Sequence, residues 1–479
     1  MPSFHTINYG CRANQADGAA LEQDLSNRGF QAVSDRSRAD IVVVNSCTVT
    51  AAADRDVRQM VRRIQRENPA AQILVTGCYA QRSPQELAAL PGVQWIMGNS
   101  HKTKIGPILS REFPSASPKR HFLPLQARNA PALDGENEAD DDLQKLGTTA
   151  PASAPFAPKI FTGDIGSQHQ LLVAPVFAAG ERTRPNLKIQ DGCNNRCSFC
   201  VIPSVRGRSR SLPLAAVLEH VGSLCQAGYR EVVFSGINLG RYGRDLPGNP
   251  GLRQLVRTIL DETPLERLRL SSVEPMDFSN ALLDLMAASP RIAKHVHAPL
   301  QSGSDRILRL MYRKYHPHNY RDRMLAAYQR MPNAAFGADV IVGFPGESDE
   351  DFELTRSFID SLPFTYLHVF PFSRRPGTLA DKMAGQVNGA LIRKRGRILR
   401  ELAAQKNLRF RQRQAGQTLS AITLGEATPG GAIALSDNYL KILIAGKQLA
   451  ANRIVAVRIS GLTENGLLGE LEQAEPSRI

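Results

Sequence analysis

The chain has 479 residues, 42% hydrophobic and 22% charged, a balance that excludes a disordered or collagen-like polypeptide. At ~150 residues per domain, that length predicts roughly three domains. Lys and Arg outnumber Asp and Glu by 59 to 45, an excess that suits a polyanionic partner. No apolar run approaches the ~18 residues that span a bilayer, so no membrane partner is expected. The start, Met1-Pro2-Ser3-Phe4-His5-Thr6, lacks a basic-then-apolar leader and predicts a cytoplasmic protein. Seven cysteines are too sparse and too odd in number for a disulfide framework, and point to metal or redox chemistry.

Residues 1–113 read as a first domain. Ile41-Val42-Val43-Val44 and Ile73-Leu74-Val75 are buried parallel strands by composition. Ala51 to Asn68 is a helix with Val57, Met60, Val61 and Ile64 on one face. Strand–helix–strand order at this spacing predicts a doubly wound α/β sheet. Cys11, Cys47 and Cys78 each directly follow a strand. Loops after neighbouring parallel strands meet at one edge, so three thiols scattered along the sequence are expected to converge on a metal or cluster. Cysteines that merely pack are the plainer alternative.

From 114 to 180 the pattern breaks. Seven prolines fall between Pro114 and Pro158, with an acidic patch of Asp134, Glu136, Glu138, Asp140, Asp141 and Asp142. Such a stretch buries too little apolar surface to offset its ordering entropy, and reads as a linker or insertion.

Residues 181–413 repeat a strand–helix unit six times. The strands fall at 187–190, 231–235, 267–272, 294–300, 335–342 and 365–371, with helical patterns at 214–225, 280–287, 305–312 and 350–362. Six such units predict a partial (β/α)6 barrel with its chemistry at the strand C-terminal ends. The first strand runs into Cys193-Asn194-Asn195-Arg196-Cys197-Ser198-Phe199-Cys200. Three thiolates this close suit an iron–sulfur cluster, which usually wants four ligands, so a missing fourth leaves one iron open. A zinc site wants a fourth Cys or His, and none lies within ten residues of Cys200. Cys225 sits on an apolar helix face and reads as core. A basic helix, 391–413, carries nine Lys or Arg against Glu401 alone. Residues 414–479 change texture to short strands, at 421–424, 441–444 and 454–457, that predict a small β-barrel.

The CxxxCxxC triad after the first barrel strand resembles that of the radical S-adenosylmethionine enzymes. The resemblance implies that Cys193, Cys197 and Cys200 are catalytic ligands of a 4Fe–4S cluster. Its open iron would chelate S-adenosylmethionine, which an electron then cleaves to a 5′-deoxyadenosyl radical. It also implies cofactor contacts at the strand ends, here Gly236, Ser272, Glu274, Gln301 and Asp339. The set Cys11, Cys47 and Cys78 is similar to the auxiliary 4Fe–4S ligands of the radical methylthiotransferases. That resemblance covers nearly the whole chain apart from 114–180. The small barrel, with Ser436-Asp437-Asn438-Tyr439, resembles the RNA-binding TRAM module of that family, an oligomerisation barrel being the alternative.

The resemblance implies a flavodoxin-like first domain, tRNA as partner, and a flavodoxin- or ferredoxin-like electron donor. Arg206, Arg208 and Arg210 follow the cluster loop and are expected to grip RNA phosphates or a carboxylate. The stretches 187–194 and 206–211 look most like the branch that methylthiolates N6-threonylcarbamoyladenosine in tRNA, whose substituent carries a carboxylate. Isopentenyladenosine in tRNA and a ribosomal protein aspartate are the sister substrates. An iron–sulfur RNA-binding protein without activity is the non-enzymatic alternative.

Overall fold

The computed structural model describes residues 1–114, 157–168, 171–172, 183–428 and 430–472. The acidic patch Asp134–Asp142 lies outside them. Two compact units result: Met1–Ala174 with Ser204–Arg208, and Pro175–Pro203 with Ser209–Ile479.

The first unit is built on six strands: β1 (Ser3–Asn8), β2 (Gln31–Ala32), β3 (Ile41–Ser46), β4 (Gln72–Gly77), β5 (Val93–Gly98) and β6 (Lys159–Phe161). All pair in parallel, in the order β2-β1-β3-β4-β5-β6. This is the flavodoxin-like winding. β3 is buried at every position, which explains its unbroken apolar run. The helix Ala51–Glu67 lays Val57, Val61 and Ile64 against β3 and β4. Its first turn is capped by the Thr50 side chain, which accepts from the Ala53 amide, a contact worth ~1 kcal/mol. β6 falls inside the stretch read from sequence as linker. Three residues are too short to show a period, although Ile160 and Phe161 pack on the sheet cores.

The register fixes what this sheet presents. Asn8 pairs with Asn45, and Ser46 with Gly77. The three strands therefore end level, and the loops carrying Cys11, Cys47 and Cys78 leave the same edge.

The second unit holds the six expected barrel strands: β7 (Asn186–Asp191), β9 (Glu231–Gly236), β10 (Arg267–Leu270), β11 (His295–His297), β12 (Ala335–Val342) and β13 (Tyr366–Pro371). A two-residue strand, β8 (Arg210–Ser211), pairs antiparallel with β7. Hydrogen-bonded sheets β10-β9-β7-β8 and β11-β12-β13 are joined by the parallel bridge Leu268–Ile292 and by the Val273 amide on the His297 carbonyl. The fourth strand is shorter than its apolar run, 294–300, suggests. Pro299 brings no ladder donor, and Gln301 takes a positive φ of 66° that turns the chain.

Five strands close the small barrel: β14 (Thr418–Thr428), β15 (Gly431–Ser436), β16 (Lys441–Ala445), β17 (Ile454–Leu462) and β18 (Leu467–Leu471). It docks on the strand-starting end of the (β/α)6 barrel, away from the cysteine loop. Arg269, wholly buried, donates to the carbonyls of Ser436 (3.1 Å) and Asp437 (3.0 Å). Arg267 donates to Ser420 Oγ, and Asn438 to the Asn333 carbonyl at 3.1 Å. Beneath them Glu231 receives Arg269 at 2.8 Å, Arg267 at 3.5 Å and Arg184 at 3.6 Å. Burial alone raises the Glu231 carboxyl, but these guanidiniums together hold it below its ordinary value. Among the described residues no helix is long and apolar enough to cross a membrane.

Candidate active site

Two cysteine sites stand at strand C-terminal edges, one in each unit. In the first, Cys11 occupies the N-cap of the helix Arg12–Asn27, where the helix dipole favours an anion. Gly10, at φ 91°, turns the chain so close to Cys47 that an added Cβ meets the Cys47 Cβ and Sγ at 2.6 Å. Asn14 ties the two loops together. Its amide donates to the carbonyls of Tyr9, Asn45 and Ser46 at 2.6, 3.2 and 3.2 Å. Asn99 donates to Cys78 Sγ at 3.5 Å. Burial pushes the Cys47 thiol up to about 12, with Cys78 and Cys11 adding to the shift. Cys11 and Cys78 thus both bear on Cys47.

In the second unit, Cys193, Cys197 and Cys200 lie in the loop after β7. Cys193 Sγ accepts from the Asn195 amide at 3.4 Å and from Asn238 Nδ2 at 3.8 Å. Cys197 Sγ accepts from Arg313 at 3.3 Å. Burial drives the Cys200 thiol up to about 12. Thiols this hard to ionise alone become thiolates when a metal replaces the proton.

The residues expected at the barrel strand ends have diverse placements. Glu274 forms an ion pair with buried Arg313, beside Cys197 in a recess also lined by Asn195, Arg241 and Tyr315. Arg313 was not foreseen. It follows a helix rather than a strand, and no local pattern marks it. A carboxylate next to a guanidinium beside Cys197 suits the charged amino-acid end of a ligand. Ser272 is half-buried between β10 and Glu274. Close by, Ser235 Oγ, Ser271 Oγ and Asn238 Oδ1 are buried with no hydrogen-bond partner. Such atoms ask for a polar ligand, and S-adenosylmethionine fits that demand.

Gly236 is spoken for by its own chain, since an added Cβ meets Gln190 Oε1 at 2.8 Å. Gln190 braces the cluster loop through the carbonyls of Asp191 and Gly192, at 3.0 and 2.8 Å. Gln301 is held in its left-handed turn by its backbone amide on the Asp339 carbonyl, 2.8 Å, while its own carbonyl accepts from the Ile341 amide at 2.9 Å. The Asp339 carboxylate lies between His297 (3.2 Å) and His368 (3.1 Å). Burial tends to raise it, and the two imidazoles hold it far below the usual carboxylate range.

The arginine loop divides. Arg206, expected to grip RNA, is 1% exposed and belongs to the first unit, bonded to Asp17 at 3.0 Å and Asn14 at 3.1 Å. A guanidinium so enclosed does not reach a phosphate. Arg210 lies 3.9 Å from Asp191. Arg208 is exposed. In the small barrel, Ser436 and Asn438 are buried at the docking surface, and Tyr439 packs over His295 at 4.7 Å between ring centroids. This motif fastens the small barrel to the larger one.

Residues 3–98 match the model of uncharacterized protein family UPF0004, and 187–359 that of the radical SAM superfamily. A threonylcarbamoyladenosine tRNA methylthiotransferase of Aquifex aeolicus is 36% identical over 92% of this chain and 95% of its own. A Bacillus subtilis protein of that name is 32% identical, covering 95% and 93%. A tRNA-2-methylthio-N(6)-dimethylallyladenosine synthase of Thermus thermophilus is 29% identical, covering 98% and 92%. Among solved structures, a radical S-adenosylmethionine methyltransferase of Kitasatospora setae shares the fold, with a TM-score of 0.51, 16% identity and 80% and 75% of the two chains covered. The chain therefore belongs to the radical S-adenosylmethionine methylthiotransferases, transferases that work with S-adenosylmethionine and two 4Fe–4S clusters.

Proposed function

We propose that this enzyme adds a methylthio group to C2 of N6-threonylcarbamoyladenosine beside the anticodon of tRNA. The observation that carries the chemistry is the pair of cysteine triads, each following strands at a parallel-sheet edge. The choice of base rests on near full-length similarity to relatives named for it. Cys193, Cys197 and Cys200 hold the radical cluster; Cys11, Cys47 and Cys78 hold the auxiliary one. When bound, these groups and S-adenosylmethionine supply the adenosyl radical, the sulfur and the methyl group.

The chain's own residues bind and orient. Glu274 and Arg313, paired beside Cys197, would bind and orient the amino-acid end of S-adenosylmethionine. Ser235, Ser271 and Asn238 accept or donate to the remaining polar atoms, and Gln190 keeps the cysteine loop in register. With Arg206 committed to Asp17, exposed Arg208 is the loop cation left to pair with the substituent's carboxylate. The reductant is a flavodoxin- or ferredoxin-like donor, and the setting is the cytoplasm. Purified enzyme should methylthiolate tRNA bearing threonylcarbamoyladenosine and ignore tRNA bearing isopentenyladenosine. The opposite preference rejects the base while leaving the chemistry standing.

A further inference from the structure

Arg206 lies six positions after Cys200 in the sequence, yet it is packed into the first unit. There its guanidinium and the Lys102 ammonium share one carboxylate, Asp17 Oδ2, each at 3.0 Å. All three side chains are at least nine-tenths buried. Lys102 also reaches Asn45 Oδ1 at 3.3 Å, and Asn45 donates to the Asn14 carbonyl at 2.7 Å. The network therefore touches the residues that tie the Cys11 loop to the Cys47 loop. The same segment is anchored a second time, where Asn99 donates both to the Val205 carbonyl at 2.7 Å and to Cys78 Sγ at 3.5 Å. The positive field of Arg206 falls on Cys11 and Cys47 and favours their thiolates. Buried charge of this kind is retained only where something compensates its desolvation. A cluster bound by three thiolates is anionic and becomes more so on reduction, so a fixed cation beside it favours the reduced form.

We propose that Arg206 is a positioning and charge-compensating residue of the auxiliary cluster, raising its reduction potential and making that site depend on the loop that follows the radical triad. Asp17 opposes it: one variant removes a positive charge from the site and the other a negative one. The expected shifts therefore have opposite signs, whatever other groups surround them. A purely structural role predicts no such opposition.

This inference rests on the assignment of an auxiliary cluster to Cys11, Cys47 and Cys78, and the experiment separates the two. The full chain carrying Cys193→Ala, Cys197→Ala and Cys200→Ala is reconstituted anaerobically, so that only the auxiliary site can load. Iron per chain and the midpoint potential by mediated redox titration are then read for this parent and for Arg206→Gln, Arg206→Lys and Asp17→Asn placed in it. A parent that binds no iron sinks the cluster assignment itself. With a loaded parent, Arg206→Gln should lower the reduction equilibrium constant tenfold or more, ~59 mV per tenfold for one electron. Asp17→Asn should raise it, and Arg206→Lys should stay near the parent. Iron lost from Arg206→Gln and restored by Arg206→Lys also supports the role. An unshifted potential in Arg206→Gln, or shifts of the same sign in Arg206→Gln and Asp17→Asn, overturns it.

Discussion

The two cysteine sites reach similar ends by different constructions. Cys193, Cys197 and Cys200 come from one eight-residue loop, so local chain geometry sets their spacing. Cys11, Cys47 and Cys78 come from three strands, and only the register of β1, β3 and β4 brings them level. Their surroundings differ in the same sense. The second-unit triad faces a recess with an ion pair, Glu274 and Arg313, and unpartnered hydroxyls, a place equipped to receive a ligand. The first-unit triad is backed by a closed network of Asn14, Asn45, Asp17, Lys102 and Arg206, equipped to hold one. A local motif leaves its neighbours free for binding; a dispersed one must spend them on assembly.

The sharpest way to break this contrast is to empty one site and read the other. Anaerobically reconstituted protein should carry about eight irons, and the Cys193→Ala, Cys197→Ala, Cys200→Ala variant about four, from two 4Fe–4S sites. Release of 5′-deoxyadenosine should vanish with the triad. Iron falling to zero in that variant would show that the sites do not load independently.

A second break lies beneath the receiving site. Glu231→Gln leaves Arg269 and Arg267 buried without their shared anion, and should cost about 3–5 kcal/mol in urea unfolding. Glu231→Leu combined with Arg269→Met should recover part of that loss, since apolar replacement of a buried ion pair is often tolerated. If Glu231→Gln unfolds at the parental midpoint, this network is not what seats the barrel floor.

The contrast also shows what was legible in the sequence. The winding of the first sheet, the six-strand barrel and the CxxxCxxC loop were all readable, because periodicity and short spacing are local. β12 matches its expected span to the residue, while β11 is cut short by Pro299 and the turn at Gln301. Arg206 was legible as a cation but not as a buried one, since its partner Asp17 lies 189 positions away. Arg313 carries no local mark at all. Ser436 to Tyr439 was readable as a motif, but its role in docking depends on Arg269, on another barrel.

Arg313 permits a finer test of the receiving site. Arg313→Gln should weaken S-adenosylmethionine binding to the cluster-loaded enzyme by ~10–100-fold, the worth of one charge-assisted hydrogen bond of ~1.5–3 kcal/mol. Iron content should not change. Equal affinity in the variant would move the cofactor carboxylate elsewhere.

Acid tests the scaffold next to it. Asp351 is drawn two ways: burial raises its carboxyl, while hydrogen bonds from Arg306, Ser304 and Ser348 bring it down to about 2. A folded-state pKa below the unfolded one stabilises the fold above the ordinary carboxylate value, and that contribution is lost as pH falls towards 2. Asp351→Asn should therefore flatten the decline in thermal midpoint between about pH 4 and pH 2. A parallel decline in both proteins would exclude Asp351 as its source.

The smallest expected effect concerns RNA, and the structure changes how it should be measured. Deleting the small barrel removes the carbonyls that receive Arg269, so a truncation confounds binding with stability. The basic helix, Gly389–Gln412 with Arg413 as its C-cap, offers a cleaner probe because its nine cations are not equivalent. Arg395 is buried on Glu347 at 2.8 Å, Arg411 caps the carbonyls of Thr463, Glu464 and Gly466, and Lys406 donates to the carbonyls of Asp360 and Leu362. Those three belong to the fold. Arg393, Lys394, Arg397, Arg400, Arg409 and Arg413 are exposed and remain available to phosphates. Each phosphate contact contributes ~0.7–0.9 to the slope of log affinity against log salt. Arg397→Gln with Arg400→Gln should thus reduce the tRNA salt slope by about 1–2, with unfolding unchanged. A slope that stays at the parental value would place the RNA track off this helix and leave the exposed loop cation Arg208 as the next residue to neutralise.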